Sequence, residues 1–208
     1  MTKVDKKLEL FNFIPLLAIR FYLAPIFIVA GWQKWQNFES TAQWFGNVDW
    51  GLGLPFPELL LWLTIAAEFL GGILLLLGLF TRLTSIPLII TMIVAALTVH
   101  WQHGWFAIAP SNPSTSTAQF FAWLNIPGAA ESLENSVAVG ERLQMAKNLL
   151  QTYGHYDWLT ETGSYVILNN GIEFATTYLI MLTVLLIYGA GRYFSLDYWI
   201  SRLFLKSR

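Results

Sequence analysis

The sequence predicts an all-α integral membrane protein, a four-helix bundle with one large extracytoplasmic loop between helices 3 and 4. Of its 208 residues, 55% are hydrophobic and 12% are charged, whereas a soluble domain carries about 25% charged residues. Four apolar stretches approach the roughly 20 residues that a helix needs to cross a bilayer. They cover about 14–33, 58–80, 83–101 and 172–191. Stretches this long and uniform favour helices over barrel strands.

The composition excludes several kinds of chemistry. The chain has no cysteine, which rules out disulfides, thiolate catalysis and cysteine-bound metal. A net charge of −1 gives no sign of a nucleic-acid partner. No glycine-rich dinucleotide motif, Walker motif or serine elbow occurs in the sequence, so enzymes built on those sites are not expected. The ten tryptophans are typical of a protein with membrane–water interfaces.

The helix boundaries follow from local signals. Arg20 interrupts the first apolar stretch, and residues 32–35 make a poor cleavage site, so we expect a retained signal-anchor helix. The turn at 80–82 is very short, and the second and third helices should therefore form an antiparallel hairpin. Ser85 or Thr84 is expected to cap the third helix.

The basic residues predict the orientation. Eight lysines and arginines fall on one side of the predicted spans and three on the other, which favours both termini in the cytoplasm of a bacterial inner (plasma) membrane. The eight are Lys3, Lys6, Lys7, Arg82, Arg192, Arg202, Lys206 and Arg208, and the three are Lys34, Arg142 and Lys147.

The segment at about 102–170 is a periplasmic insertion in what we expect to be a single membrane domain over 1–208. It begins as irregular coil rich in proline, serine and asparagine. Residues 134–151 predict one amphipathic helix, because four apolar residues recur at helical spacing and share one face. They are Val139, Leu143, Ala146 and Leu150.

Two charged residues lie inside predicted spans. Arg20 is two turns into the first helix and Glu68 is near the middle of the second. An ionisable group in a span costs about 2.5–3.5 kcal/mol on insertion scales, so such groups are usually paired, functional or both. We expect an intramembrane pair between Arg20 and Glu68. It has two interpretations, a structural ion pair that fixes helix register and a proton or quinone site.

A second polar group is predicted at the outer membrane face, where helix ends carry amide, amine, carboxylate and imidazole groups. Anchoring at the interface is one interpretation, and a site for a quinone head or another polar small molecule is a second. A metal site is a third, with His100, His103 and Glu173 as ligands. The full group is Gln33, Lys34, Glu58, His100, His103 and Glu173.

Small residues along the second predicted helix indicate close helix packing. Gly71, Gly72 and Gly78 lie in this helix, and glycine lets helix backbones approach closely in lipid.

Charged residues and glycines near the helix ends combine into a pattern that resembles a known family. The pattern comprises Arg20, Gly31-Trp32-Gln33-Lys34, Glu68-x2-Gly71-Gly72-x5-Gly78-x3-Arg82, Asn170-Gly171-x-Glu173, Gly189-x-Gly191-Arg192 and Ser195-Leu196-Asp197-Tyr198. Over all four predicted helices the chain resembles the DoxX family of four-helix bacterial membrane proteins. Its long third loop resembles the longer, HvfX-like branch, which is encoded beside maturation genes for copper-binding modified peptides.

Three functions remain open, of which the resemblance implies the first two. The first is an accessory or anchoring component of a redox or metallo-peptide maturation system, with a protein partner. The second is a quinone-interacting oxidoreductase subunit like that of thiosulfate:quinone oxidoreductase, with quinone as the cofactor. The third is a transporter for a small solute or metal, for which four spans would require a homo-oligomer. The resemblance transfers no catalytic residue.

Overall fold

The computed structural model describes residues 10–112, 114 and 116–205. Lys3, Lys6, Lys7, Lys206 and Arg208, which enter the orientation prediction, lie outside the described residues. The described part is helical and has no sheet; one isolated antiparallel bridge joins Ile108 and Leu168. The helices are α1 Phe13–Gln36, α2 Phe38–Gly46, α3 Pro57–Leu77, α4 Thr81–His103, α5 Ala118–Trp123, α6 Ala129–Tyr153, α7 Tyr156–Leu159, α8 Glu173–Tyr188 and α9 Leu196–Leu205.

Three of the described helices are long and apolar enough to cross a membrane. They are α1, α3 and α4, with 24, 21 and 23 residues, and they confirm that the first three predicted stretches form apolar helices of sufficient length. Helix α8 is apolar but has only 16 residues, which extend about 24 Å. It ends at Tyr188, before Gly189 and Gly191, both at positive φ. The fourth crossing, at 172–191, therefore remains a prediction.

The chain divides into two compact units, 1–94 with 177–208, and 95–176. In the first unit, α1, α3, α4 and α8 all contribute to one apolar core. Its buried members are Leu23, Ala24, Phe27, Leu75, Leu88, Met92, Leu182 and Leu185.

Helices α1 and α3 approach each other backbone to backbone. A Cβ added to Gly72 would lie 2.9 Å from the Ile28 nitrogen and 3.0 Å from the Ala24 oxygen. A Cβ on Gly31 would lie 2.6 Å from the Phe69 nitrogen. Glycine at these two positions lets the antiparallel helices come this close, and their contact sets which residues of α1 and α3 face each other.

The turn between α3 and α4 differs from the sequence prediction in two details. Helix α3 ends at Leu77, three residues before the predicted end at 80, and is followed by Gly78 in the left-handed conformation, at φ 64°. The predicted cap of α4 by Ser85 or Thr84 is wrong, because α4 already begins at Thr81. The Ser85 hydroxyl instead donates to the Thr81 carbonyl within the helix, at 2.8 Å.

The second unit shows that the predicted insertion is folded. Helix α6 covers the predicted amphipathic helix at 134–151 but begins five residues earlier, at Ala129, and its first turn follows Gly128. Helices α5 and α7 were not predicted from the sequence. Backbone hydrogen bonds tie residues 104–107 to 169–173, including Gly171 N to Phe106 O at 3.0 Å. These bonds close the unit into one compact body.

Adjacent glycines of α3 give a test of the packing. We expect Gly72→Ala to destabilise the protein by about 1–3 kcal/mol, because its Cβ would overlap backbone atoms of α1. Gly71→Ala is the matched control: its Cβ would meet Leu88 and Thr84 side chains at 3.4 Å, an ordinary contact. Thermal unfolding of both variants in detergent measures the difference. Equal unfolding temperatures would contradict the close approach of α1 and α3.

Candidate functional site

The Arg20 side chain is fully enclosed by backbone carbonyls. It is 1% exposed and donates four hydrogen bonds. Its Nε donates to Leu75 O at 2.7 Å and Nη2 to Leu76 O at 2.8 Å. Its Nη1 donates to Ala190 O at 3.0 Å and to Phe194 O at 2.9 Å. The guanidinium thus joins α1 to the end of α3 and to the segment after α8.

Leu75 and Leu76 lie in the last turn of α3, where C=O groups lack N–H partners further along the helix. Leu75 O also accepts from Gly78 N at 3.1 Å, and Ala190 and Phe194 lie in the segment between α8 and α9. A cation also suits the negative end of the helix dipole. Asp197 is the complementary anion: its Oδ1 and Oδ2 accept from Phe80 N at 2.7 Å and Thr81 N at 2.9 Å, at the start of α4. Its own N–H donates to Gly78 O at 2.9 Å. We call Arg20, Gly78, Thr81 and Asp197 the polar junction.

Glu68 is bonded to a different cation. Its Oε2 accepts a hydrogen bond from the Lys34 ammonium at 2.7 Å. Among the residues that the structure describes, these two side chains form the one ion pair. The side chain of Glu68 is 4% exposed and that of Lys34 is 27% exposed. Glu68 lies in a π-helical turn, Ala66–Leu70, and such turns are frequent at functional sites.

The predicted pair between Arg20 and Glu68 is wrong. Arg20 contacts Leu75 and Leu76 instead, and Glu68 lies seven residues before Leu75, about 10 Å along the helix axis. The helix register explains the difference: Gly31 of α1 packs on Phe69. The next turn of α1 after Gly31 carries Lys34, which therefore reaches Glu68.

Aromatic rings on α1, α2 and α3 form a group close in sequence to Lys34 and Glu68. Trp35 lies 5.8 Å from Trp62 and 6.3 Å from Phe69, and Trp32 lies 5.9 Å from Phe69. Phe38 lies 4.9 Å from Trp62. The three tryptophans are about half exposed, and Trp35 and Phe69 directly follow Lys34 and Glu68 in the sequence. We call these five rings the aromatic cluster.

Two other outer-face residues of the first unit are Gln33 and Glu58. Within the part of the chain that the structure describes, neither is hydrogen-bonded to Lys34 or Glu68. Gln33 is exposed near the end of α1. Glu58 is exposed in the first turn of α3 and, with Glu39, Asn47 and Trp50, lines a cavity of about 510 Å³. Lys34 does not line this cavity.

Two of the outer-face residues of the second unit form hydrogen bonds with its backbone. His100 Nδ1 donates to Asn170 O at 2.8 Å, and Glu173 Oε2 accepts from Ala107 N at 2.9 Å. His103 is exposed at the end of α4. Within residues 10–112, 114 and 116–205, no three histidine, aspartate or glutamate side chains are close enough to hold a metal ion. The metal hypothesis for His100, His103 and Glu173 therefore has no ligand set.

The second unit also encloses a mostly apolar cavity of about 540 Å³. Glu131 and Gln102 are its charged and amide-bearing lining residues. The Ser132 hydroxyl at its edge is already bonded, donating to Gly128 O at 2.8 Å. The larger apolar lining residues are Trp101, Trp105, Phe121, Ile126 and Ile172.

Sequence reasoning missed two functional contacts. The Lys34–Glu68 pair was missed although both residues were singled out, because pairing depends on helix register. Asp197 stood in a quoted motif without a role. The signal that could have found it is its position: an acid in the first turn of a short amphipathic helix, just after the last apolar stretch, is placed to bond backbone N–H groups.

Comparison with known proteins adds a family to this geometry. The profile of the DoxX family matches residues 15–101, a region that contains Arg20, Lys34 and Glu68. The "Putative oxidoreductase CatD" of Bacillus subtilis (strain 168) is 36% identical over 83 residues, 40% of this chain and 58% of that protein. The "Inner membrane protein YphA" of Escherichia coli (strain K12) is 30% identical over 122 residues, 55% of this chain and 84% of that protein. No solved structure is significantly similar.

Double-mutant cycles distinguish the two pairings. We expect Lys34→Met and Glu68→Gln to be coupled by at least about 1 kcal/mol, because either change alone leaves a poorly solvated charge without its partner. Arg20→Met and Glu68→Gln should add within about 0.5 kcal/mol, since they share no partner. Unfolding free energies of the single and double variants in detergent provide the measurement. Coupling in the second cycle and additivity in the first would contradict the register described above.

Proposed function

The chain belongs to the DoxX family of membrane proteins, and we propose that it is the membrane component of a redox system, in which the Lys34–Glu68 pair receives the polar head of a quinone. One observation carries the proposal: a poorly exposed ion pair in a π-helical turn lies beside an accessible aromatic cluster. The similarity to CatD, which is described as an oxidoreductase, supports it.

The residues present fit a quinone head. Quinone carbonyls accept hydrogen bonds, and the Lys34 ammonium has three donors, of which one reaches Glu68. Aromatic rings such as Trp32 and Trp35 offer flat apolar surface for a planar ring. A quinone, when bound, supplies the capacity to take up two electrons and two protons. Lys34 would orient a carbonyl oxygen, and Glu68 would hold or pass a proton.

The electrons must come from a partner. The sequence contains no cysteine and no c-type haem motif, and it contains no flavin or dinucleotide fingerprint. We therefore propose that a soluble or membrane-bound redox protein delivers electrons to this chain. The chain would then have both roles that the family suggests, as anchor for the partner and as quinone site.

The proposed topology has both termini in the cytoplasm and α8 as a fourth, short crossing of the bacterial inner membrane. Arg82 lies in the first turn of α4. Arg192 lies just before α9, and Arg202 lies in its second half. These cations support a cytoplasmic location for this end by the positive-inside rule. The insertion at about 102–170 would then lie in the periplasm.

The second candidate function is an accessory role in metallo-peptide maturation, as in the HvfX-like branch. The observation that favours it is the folded unit 95–176, with its apolar cavity of about 540 Å³. Such a unit offers a surface on which a peptide or its maturation enzyme could be held. A small-solute or metal transporter, with a homo-oligomer as the pathway, is the third proposal and would need transport activity in proteoliposomes.

The quinone site can be tested by native mass spectrometry of the protein released gently from its own membranes. We expect the wild-type chain to carry quinone, and Lys34→Met and Glu68→Gln to lose it at least about tenfold, since each removes a polar partner of the head group. Lys147→Met is the matched control, because Lys147 is a partly exposed lysine of the other unit, and this variant should retain the quinone.

Two outcomes would count against this proposal. Quinone retained by both Lys34→Met and Glu68→Gln would place the head group elsewhere. Wild-type protein that carries a soluble partner but never quinone, from membranes rich in quinone, would leave the accessory role and exclude the quinone site. Circular dichroism of each variant confirms that a loss of quinone is not a loss of fold.

A further inference from the structure

Helix α9 has one continuous apolar face. With a rotation of about 100° per residue, five large apolar side chains between 196 and 204 fall within one arc of roughly 140°. Ser201 and Arg202 lie outside this arc, and Asp197 lies at its edge. The apolar side chains are 40–73% exposed: Leu196, Trp199, Ile200, Leu203 and Phe204. An amphipathic helix in a soluble protein would turn such a face toward the core.

In this protein the apolar face of α9 does not point toward the core. Asp197, which lies outside the five apolar side chains, accepts from the N–H groups of Phe80 and Thr81 at 2.7 and 2.9 Å. Its backbone N–H donates to Gly78 O at 2.9 Å. The polar side of α9 is therefore attached to the α3–α4 turn, and the apolar side faces away from the protein. Leu203, for example, is 73% exposed.

The location of α9 identifies the medium that its apolar face meets. The segment before α9 packs on the first turn of α1: Phe13 lies 5.3 Å from Tyr193 and 5.8 Å from Phe194. Helix α9 thus begins where the apolar helix α1 begins and where α3 ends and α4 starts. In a membrane protein these positions lie at the boundary between acyl chains and water.

The charged side chains of this segment indicate which molecules α9 meets at that boundary. Arg192 and Arg202 are exposed on this segment, and the one acidic residue of α9, Asp197, is occupied by the polar junction. Basic side chains beside an apolar face match a lipid surface with anionic headgroups. Exposing this apolar arc to water would be unfavourable, because the free energy rises with the apolar area in contact with water.

We propose that α9 lies in the membrane interface, roughly parallel to the bilayer surface, with its apolar face among the acyl chains and with Arg192 and Arg202 against anionic headgroups. The polar junction sets its direction, since Asp197 ties its first turn to α4. The occupant is the lipid bilayer. This inference does not depend on the quinone site.

The cysteine-free sequence makes a direct test practical. Single cysteines are introduced as Ile200→Cys, Leu203→Cys and Ser201→Cys, spin-labelled, and placed in nanodiscs of phosphatidylcholine with about one third phosphatidylglycerol. We expect labels at 200 and 203 to be relaxed several-fold more by oxygen than by a water-soluble nickel chelate. The label at 201, on the polar side, is the matched control and should show the opposite preference.

Other patterns would overturn the proposal. If labels at 200 and 203 are relaxed by the nickel chelate as strongly as the label at 201, α9 lies in water. If they are protected from both reagents, a protein surface covers them. Either result is interpretable only with native helix content, which circular dichroism measures for each labelled variant.

The headgroup part has its own test. With the label at 203, Arg192→Gln and Arg202→Gln together should reduce its depth in the anionic nanodiscs and leave it unchanged in pure phosphatidylcholine. Arg142→Gln, an exposed arginine of the other unit, is the control. A depth that is the same for all variants in both lipids would show that the headgroup charge is not recognised.

Discussion

Arg20 brings a permanent positive charge into the interior of an apolar helical unit, and the arrangement of the first unit follows from how that charge is satisfied. A guanidinium stays protonated in proteins and has five N–H donors. Here four hydrogen bonds reach carbonyls of Leu75, Leu76, Ala190 and Phe194. Leu75 and Leu76 lie in the last turn of α3, and Ala190 and Phe194 lie in the segment between α8 and α9, so one side chain bonds a helix end and a connecting segment.

The same contacts set the register of α1 against α3. With Arg20 at the level of Leu75, Gly72 meets the backbone of α1 one turn later, near Ala24, and Gly31 meets Phe69. Lys34 then falls one turn further on, at the level of Glu68. The polar junction at one end of the unit and the ion pair nearer the other end therefore fit the same register of α1 against α3, although the two share no atoms.

Hydropathy predicted the spans well because crossing a bilayer imposes length and apolarity on each helix separately. The ends of α1, α3 and α4 differ from the prediction by one to three residues. The partners of Arg20 could not be predicted in this way, because they depend on the register between two helices. The positions of glycines in the sequence do not determine that register. The fold of 95–176 was missed for a related reason: its polar bonds, such as Glu173 to Ala107 N, join residues far apart in sequence.

Arg20 and Glu68 also differ in what chemistry they leave available. Four of the five N–H donors of Arg20 are bonded to carbonyls and the residue is 1% exposed, so a substrate could reach it only by displacing the surrounding backbone. A carboxylate can accept about four hydrogen bonds, and the one that the described residues give to Glu68 comes from Lys34. Lys34 in turn is 27% exposed beside the aromatic cluster. A structural pair would be expected to have most of its hydrogen-bonding capacity used, as four of the five donors of Arg20 are used. The unused hydrogen-bonding capacity of Lys34 and Glu68 is the reason for proposing the ligand site at this pair and not at Arg20.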